Sequence, residues 1–317
     1  MYRFSRFLTL PIKKRGEKMN TYIKIFNDYV KKYDPKDPKI ALKIKHTLNV
    51  VNKSKEICDS LKLDDKETHL AMIIALLHDI GRFEQIKRYQ TFNDAKSIDH
   101  ALLGCQILFD EKVIDIFQIK DDLDIIYDAI INHNRFEISE NLKGRSLLHA
   151  RIIRDADKLE NLEFKCTLAI EDIYGIKKTI IEKQIITPKV FEAICNHRCI
   201  KAVDRSNELD MWLTHIGFIF DFNFEYCLKV IEKEAYLDQI LSRLDYQNEK
   251  TKQEIEKIKV ITKEFIKKNK KKNGENTCFW QKNTKKDKIL IIKLFTNKKK
   301  KFIIKVQIKE GAYYGIW

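Results

Sequence analysis

The chain has 317 residues, of which 44% are hydrophobic and 34% charged, so it can bury a core and is not a wholly disordered polypeptide. The low counts of 9 Gly and 4 Pro argue against a turn-rich all-β fold, and the chain contains no run of ~20 apolar residues that could span a membrane. The net charge of +15 is confined to the two ends: residues 1–18 carry +5, residues 267–317 carry +13, and residues 19–266 carry −3.

These charges divide the chain into three predicted parts. Residues 1–18 are a basic leader, and the string KRGEKM suggests that translation starts at Met19. Residues 19–266 are predicted to form the domain. Residues 267–317 are a basic linker and tail, in which 287–295 and 300–308 resemble the two strands of a β-hairpin. The tail is predicted either to contact nucleic acid or to be a solvated appendage without a partner.

The seven cysteines are scattered and contain no CxxC pair, and the leader has no cleavage site typical of a secretory signal. We therefore predict a reducing compartment and a cytoplasmic protein.

From Thr21 to about Glu264, apolar residues recur with helical spacing, which predicts an all-α domain. Pro38 suits the first turn of a helix that runs to about Leu61. Asp64, followed by Glu67, is typical of a helix start, and we expect that third helix to end at Gly81. The remaining helices are predicted over residues 97–110, 121–133, 146–164, 188–203, 207–220, 223–245 and 248–268.

Four of the eight histidines fall on helical faces that should point inward: His46, His78, His100 and His133. Asp157 also follows apolar residues at helical spacing, and a buried carboxylate is costly unless it is paired or bound to metal. Imidazole and carboxylate donors together suit divalent Fe, Mn, Zn, Ni or Co. The alternative is a hydrogen-bonded core cluster. The other histidines (His69, His149, His197 and His215) are interpreted as ordinary surface or core residues.

The adjacent pair His78–Asp79 lies at a predicted helix end, where the backbone can turn both side chains towards one centre. Asp79 has two carboxylate oxygens and can bridge two ions. Two ions about 3.5–4 Å apart can hold a hydroxide and clamp a phosphate.

In this order, His46, His78–Asp79 and Asp157 resemble the H…HD…D pattern of the HD superfamily of metal-dependent phosphohydrolases. The strings ALLHDIGRFEQ, SIDHALLGCQIL, INHN and RDADKLENL resemble that family at four separate places. The resemblance covers roughly residues 40–165. It implies an HD-domain-like helical bundle, here followed by extra C-terminal helices and the basic tail.

With His100 and His133, the pattern becomes H…HD…H…H…D and resembles two-metal phosphodiesterases and related oxygenases. The resemblance implies one ion held by His46, His78, Asp79 and Asp157, and a second held by Asp79, His100 and His133. The chain departs from the cyclic-di-GMP-hydrolysing branch, since it has no GYP tripeptide and INHN has a single histidine. It also departs from the (p)ppGpp-hydrolysing branch, whose acidic pair after HD is missing from HDIGRFEQ.

Four polar residues beside these motifs are candidates for substrate contacts. Arg82 directly follows the HD-Ile-Gly corner and could stabilise negative charge on a phosphate during catalysis. Lys158, next to Asp157, is a second catalytic candidate. Asn134 and Arg135 follow His133 and could line the mouth of the site, although a surface loop is an equally good interpretation.

We therefore predict a metal-dependent enzyme that hydrolyses a phosphate mono- or diester of a nucleotide or a related small molecule. One or two divalent ions would activate the attacking hydroxide. Three alternatives stay open at this point: a nucleotide sensor with a non-catalytic pocket, a nucleic-acid-binding protein led by the basic tail, and a di-iron oxygenase.

Overall fold

A computed structural model of the chain describes the backbone of residues 16–270 and the side chains from residue 18 onwards. Within this range every regular element is a helix, so the predicted all-α class is confirmed. Residues 1–15 of the predicted leader and the whole predicted hairpin lie outside the described residues, and the domain boundaries stay a prediction.

The first half of the described chain contains helices α1 to α7. Their bounds are α1 Gly16–Val30, α2 Pro38–Leu61, α3 Asp65–Leu77, α4 Ile80–Tyr89, α5 His100–Cys105, α6 Leu123–Asn132 and α7 Gly144–Thr167. One π-helical turn, Gln106–Asp110, continues α5. Short 3-10 turns at Asp94–Lys96 and Val113–Phe117 complete this part.

The second half contains shorter helices and one long final helix. Their bounds are α8 Ile170–Tyr174, α9 Lys178–Ile181, α10 Pro188–Cys195, α11 Glu208–Gly217, α12 Glu225–Lys233, α13 Tyr236–Leu241 and α14 Glu249–Lys270. Two 3-10 turns, Ala202–Asp204 and Phe218–Asp221, flank α11. Within residues 16–270, no helix is both long and apolar enough to cross a membrane.

Local sequence signals explain several helix starts. The Asp37 carboxylate accepts a hydrogen bond from the Lys39 backbone N–H at 2.7 Å, and Pro38 occupies the first turn of α2. The Asp64 carboxylate accepts from the Glu67 backbone N–H at 2.9 Å and starts α3, as predicted. These caps satisfy backbone donors that have no partner within the helix.

The prediction that α3 ends at Gly81 is wrong. α3 ends at Leu77, and Gly81 is the second residue of α4, a helix that the sequence did not predict. Gly81 packs against α5 so closely that a Cβ atom there would lie 2.3 Å from the His100 carbonyl oxygen and 2.6 Å from the Gly104 nitrogen. Glycine is needed here for the close approach of two helices and not for a helix stop.

Two further predicted helices are shorter or broken. The helix expected over 188–203 ends at Cys195, and the one expected over 223–245 divides into α12 and α13. The break lies at Ala235, whose φ of 51° is left-handed and cannot continue a right-handed helix.

A bundle of α2, α3, α6 and α7 forms the first part of the core, with α4 and α5 packed at one side. Its buried side chains are mainly aliphatic and include Val50, Ile74, Leu77, Ile126 and Ile153. The later helices α11, α12 and α13 pack on α7 as well, and α10, α12 and α13 contact α14. The long helix α7 therefore connects the bundle with the C-terminal helices.

Candidate metal centre

A cluster of imidazoles and carboxylates lies inside the bundle, where α2, α3, α5, α6 and α7 meet. Its six members are the residues singled out by the sequence pattern: His46, His78, Asp79, His100, His133 and Asp157. We call them the His–Asp cluster. Five of the six are buried, and the side chain of Asp157 is 21% exposed. The cluster is thus almost closed to solvent, with one carboxylate at its open side.

The junction between α3 and α4 brings His78 and Asp79 to the same point. His78 follows the last residue of α3, and Asp79 has φ −105° and ψ 18°, outside the regular helix. Neighbouring side chains within a helix diverge by about 100°, and this change of direction removes the divergence. Both side chains face the cluster, as expected for a pair at a helix end.

One half of the cluster contains His46, His78, Asp157 and the Oδ2 atom of Asp79. His46 Nε2 lies 3.1 Å from Asp157 Oδ1 and 3.6 Å from Asp79 Oδ2. His78 Nε2 lies 3.6 Å from the same Asp79 oxygen and 4.0 Å from Asp157 Oδ1. These four donor atoms surround one small volume.

The other half contains His100, His133 and the Oδ1 atom of Asp79. His100 Nε2 lies 3.4 Å and His133 Nε2 lies 3.6 Å from Asp79 Oδ1. The two imidazole Nε2 atoms are 3.0 Å apart. Asp79 therefore directs one carboxylate oxygen to each half of the cluster, which is the arrangement of a bridging carboxylate.

All four imidazoles are held through their Nδ1 atoms. His46 Nδ1 contacts the Glu160 carboxylate, and His100 Nδ1 lies 2.6 Å from Asp94 Oδ2. His78 and His133 donate from Nδ1 to the carbonyl oxygens of Ala75 and Ile130, each at 2.7 Å. These bonds fix the orientation of each ring and leave Nε2 to face the cluster.

The residues present fit a divalent metal. The Nε2 atoms of His46 and His78 are buried and have no hydrogen-bond partner among the described residues, a costly situation for an imidazole nitrogen without a ligand. Within the cluster, ligand atoms lie within 4.8 Å of one another in three sets that could each hold an ion: His46–His78–Asp79, His78–His133–Asp157 and Asp79–His100–His133. A fourth set joins His100 to Asp94 and Asp99, outside the cluster. Nitrogen and oxygen donors of this kind suit first-row divalent ions.

Comparison with known protein families identifies this arrangement. A family model described as the HD domain matches residues 44–162, a span that includes every member of the His–Asp cluster. Residues 44–162 of the chain are an HD domain. The HD domain is typical of metal-dependent hydrolases of the phosphohydrolase superfamily. The comparisons with curated proteins and with solved structures each give no match.

Charge and burial control the protonation of the His–Asp cluster. Burial lowers the pKa of His78 to about 3, and burial together with the Arg82 guanidinium lowers the pKa of His100 to about 4. Both imidazoles are therefore neutral at pH 7, the form that binds metal. The pKa of Asp79 is well below its usual range because Lys43 and the imidazoles outweigh the effect of burial.

His46 behaves differently. Burial and the Lys43 ammonium disfavour its charged form, but the nearby carboxylates of Asp157 and Glu160 outweigh both and raise its pKa to about 9. The Asp157 carboxylate is stabilised as the anion by the same contact with His46, which lowers its pKa despite burial. Metal binding at this half would therefore release a proton from His46.

Two cations flank the bridging carboxylate. Lys43 Nζ lies 2.7 Å from Asp79 Oδ2, and Arg82 Nε lies 3.7 Å from Asp79 Oδ1. Both also lie near the Phe92 ring, with 5.5 Å from Lys43 Nζ and 5.7 Å from the Arg82 guanidinium carbon to its centre. Lys43 immediately precedes the matched HD segment and was missed from the sequence, because a lysine three residues before His46 has no distinguishing pattern.

The sequence also missed the carboxylates that hold the histidines. Glu160 is three residues after Asp157 on α7, so its helical spacing gave a signal that could have been used. Asp94 lies in a 3-10 turn before α5, where helical periodicity gives no information. It also accepts from Arg82 Nη1 at 2.8 Å and from Gln85 Nε2 at 2.9 Å, and thereby connects Arg82 with His100.

Three further predicted site residues, Asn134, Arg135 and Lys158, lie in different surroundings. The Asn134 side chain donates to Asp99 at 2.8 Å and lies 3.5 Å from His100 Nδ1, close to the cluster. Arg135 is exposed. The Lys158 ammonium pairs with Asp221, which also accepts from Arg154 at 2.7 Å. Lys158 is thus engaged with the C-terminal helices and not with Asp79.

The histidines interpreted as ordinary residues lie outside the cluster. His149 Nε2 lies 2.7 Å from Glu67, and His215 donates to the carbonyl oxygen of Met211 at 3.1 Å. His69 and His197 contact aromatic rings of Tyr22 and Phe220, respectively.

Proposed function

We propose that this HD-domain chain hydrolyses a phosphate mono- or diester of a small molecule such as a nucleotide, with one or two divalent ions held by the His–Asp cluster. The observation that carries the proposal is the division of the Asp79 carboxylate, whose two oxygens each face a separate pair of imidazole Nε2 atoms at 3.4–3.6 Å. A hydrogen-bonded core cluster would pair its buried nitrogens, whereas the Nε2 atoms of His46 and His78 have no hydrogen-bond partner among the described residues.

When bound, divalent Fe, Mn, Zn, Ni or Co would supply a hydroxide at neutral pH and neutralise charge on a phosphate. His46, His78, Asp79 and Asp157 would hold one ion, and Asp79, His100 and His133 a second. Glu160 and Asp94 keep His46 and His100 in the orientation that this requires.

Lys43 and Arg82 provide positive charge for the substrate. Their side chains are 16% and 15% exposed, so both are largely shielded from water without being closed to solvent. Shielding strengthens their attraction for a phosphate oxygen. We assign them the stabilisation of the equatorial oxygens during attack. Asn134 and Arg135 are assigned to the mouth of the site, and Lys158 is left out because its ammonium pairs with Asp221.

The proposal is tested by hydrolysis of a panel of phosphomonoesters and phosphodiesters by the metal-reconstituted chain. We expect Asp79→Ala to abolish turnover, because the bridging carboxylate belongs to both halves of the cluster. Asp121→Ala, which alters an exposed carboxylate, is the matched control and should retain full activity. Turnover by Asp79→Ala comparable to the control would contradict the proposal.

A further inference from the structure

A second group of cations lies among the C-terminal helices, around Lys165 on α7. Lys165 Nζ lies 4.8 Å from the centre of the Tyr174 ring and 5.9 Å from that of Trp212. The Arg243 guanidinium carbon lies 5.9 Å from the centre of the same Trp212 ring. We call Lys165, Tyr174, Trp212 and Arg243 the Lys165 cluster. It shares no residue with the His–Asp cluster.

Neither cation of this cluster forms an ion pair with a carboxylate among residues 18–270, and the acid whose charge acts on Arg243 is the exposed Glu171. Lys165 is only 7% exposed, yet its ammonium forms no ion pair or hydrogen bond with a described acceptor. Arg243 donates to the backbone carbonyl oxygens of Lys165 and Leu168, which are neutral acceptors. A buried ammonium without a counter-ion is costly, and cation–π contacts offset only part of that cost.

Two neutral donors in the cluster are unsatisfied as well. The Tyr174 hydroxyl and the Trp212 Nε1 atom are buried, and neither has a hydrogen-bond partner among the described residues. Glu208 is the acid whose negative charge acts on the Tyr174 hydroxyl, but it forms no hydrogen bond with it. The Glu208 carboxylate instead accepts a hydrogen bond from Gln184 Nε2 at 2.5 Å. The cluster thus combines two cations with two unsatisfied donors, and the acceptors that it offers are the backbone carbonyl oxygens bound by Arg243.

The pKa of Lys165 is that of a buried ammonium without a counter-ion. Burial, and then the neighbouring Arg243 guanidinium, lower the pKa of Lys165 to about 7. A bound anion would restore the charged form by direct attraction.

The members of the Lys165 cluster differ in their exposure to solvent. Trp212 is fully buried and Lys165 nearly so, whereas Tyr174 and Arg243 are partly exposed. Solvent therefore reaches the cluster at Tyr174 and Arg243.

We propose that the Lys165 cluster is a binding site for a small oxyanion, namely a phosphate or carboxylate group. Its oxygens would accept hydrogen bonds from the Lys165 ammonium, the Tyr174 hydroxyl and the Trp212 indole N–H. The site does not depend on the proposed hydrolysis. Its first residue is Lys165, beyond the matched HD segment 44–162, and none of its residues belongs to the His–Asp cluster.

The test measures the unfolding temperature of the full chain after chelator treatment, at constant ionic strength, against rising inorganic phosphate and, separately, acetate. A ligand of the folded state raises this temperature with its concentration. We expect one or both anions to raise the unfolding temperature. If only one does so, it identifies the bound group as a phosphate or as a carboxylate. Chelator treatment excludes phosphate held by metal, so failure here leaves the hydrolysis proposal unaffected.

Two variants locate the effect. Lys165→Met removes the charge with little change in length and should abolish the anion-dependent rise while leaving the anion-free unfolding temperature equal or higher. Tyr174→Phe removes one donor and should weaken anion binding about tenfold. Lys229→Met, at a position whose side chain is 60% exposed, is the control and should keep the full rise.

The proposal is overturned if neither anion raises the unfolding temperature of the parent chain, or if Lys165→Met shows the parent's rise. Should Lys165→Met fail to fold, Tyr174→Phe decides, and an unchanged affinity for the anion then overturns it.

Discussion

At the scale of single residues, the most unusual feature is a fully buried carboxylate surrounded by nitrogen. Asp79 is 3% exposed and lies near four imidazoles and two cationic side chains. Removing a carboxylate from water costs several kcal/mol unless opposite charge or donors compensate. The neutral state of His78 and His100 means that Lys43 supplies much of this compensation in the metal-free chain.

This arrangement predicts an effect of Lys43 on phosphate recognition. We expect Lys43→Met to lower kcat/KM for a phosphoester about 10²-fold, because a shielded positive charge close to the reacting phosphate is lost. Metal content should stay at the parent level, since Lys43 is not a ligand. Steady-state kinetics with metal analysis of the same samples measure both quantities.

Lys45→Met provides the matched control, because Lys45 is on the same helix but exposed. It should behave as the parent chain. Parent-like kcat/KM in Lys43→Met would remove Lys43 from the mechanism.

The sequence predicted which residues meet in the cluster, because each lies on an apolar helical face or at a helix end. It did not predict the residues that hold them. Glu160 and Asp94 bind the outer nitrogens of His46 and His100, and these contacts depend on how α2 meets α7 and how the loop before α5 returns to it. Such long-range packing leaves no mark in local periodicity.

At the scale of elements, the pair α4 and α5 determines the position of His100. The backbone of Gly81 on α4 lies directly against the His100 carbonyl at the start of α5. The sequence interpretation took Gly81 for a helix stop, since a glycine after an apolar run is typical of one. Only the approach of a helix from elsewhere in the chain reveals the actual reason.

Gly81→Ala is therefore expected to push α4 and α5 apart. Backbone atoms within 2.6 Å of the new Cβ cannot move as freely as a side chain, so we expect a loss of about 1–3 kcal/mol in the free energy of unfolding. Displacement of His100 should also weaken the second half of the cluster. Chemical denaturation and metal titration measure the two effects.

Gly217→Ala is the control for this substitution. A Cβ there would meet the Ile200 side chain at 3.5 Å, an ordinary contact, so stability should change little. If Gly81→Ala were as stable as Gly217→Ala, the close approach of α4 and α5 would not constrain the site.

At the scale of the whole molecule, α7 joins the metal centre to the C-terminal helices. Asp157 faces the cluster, while the neighbouring Asp155 accepts backbone hydrogen bonds from Asn223 and Phe224 at 2.8 and 2.9 Å. Arg154 and Lys158 both contact Asp221 on the same side. The later helices therefore support the helix that carries Asp157, a role that the sequence left open.

The basic end of the chain gives a prediction that is separate from catalysis. Residues 271–317 contain thirteen Lys and three acidic residues. We expect truncation after Lys270, where α14 ends, to remove salt-dependent retention on DNA or RNA and to leave phosphoester hydrolysis intact. Retention that survives truncation would assign nucleic-acid contact to the helical domain instead.

The most direct test of the proposed metal centre is the elemental metal content per chain, on protein purified without chelator or nickel resin. We predict one or two divalent ions per parent chain, taken up directly or on reconstitution with Fe, Mn, Zn, Ni or Co, and a loss of bound metal in Asp79→Ala. No metal in the parent after reconstitution with each ion, or equal metal in Asp79→Ala, would show that the His–Asp cluster is not a metal centre.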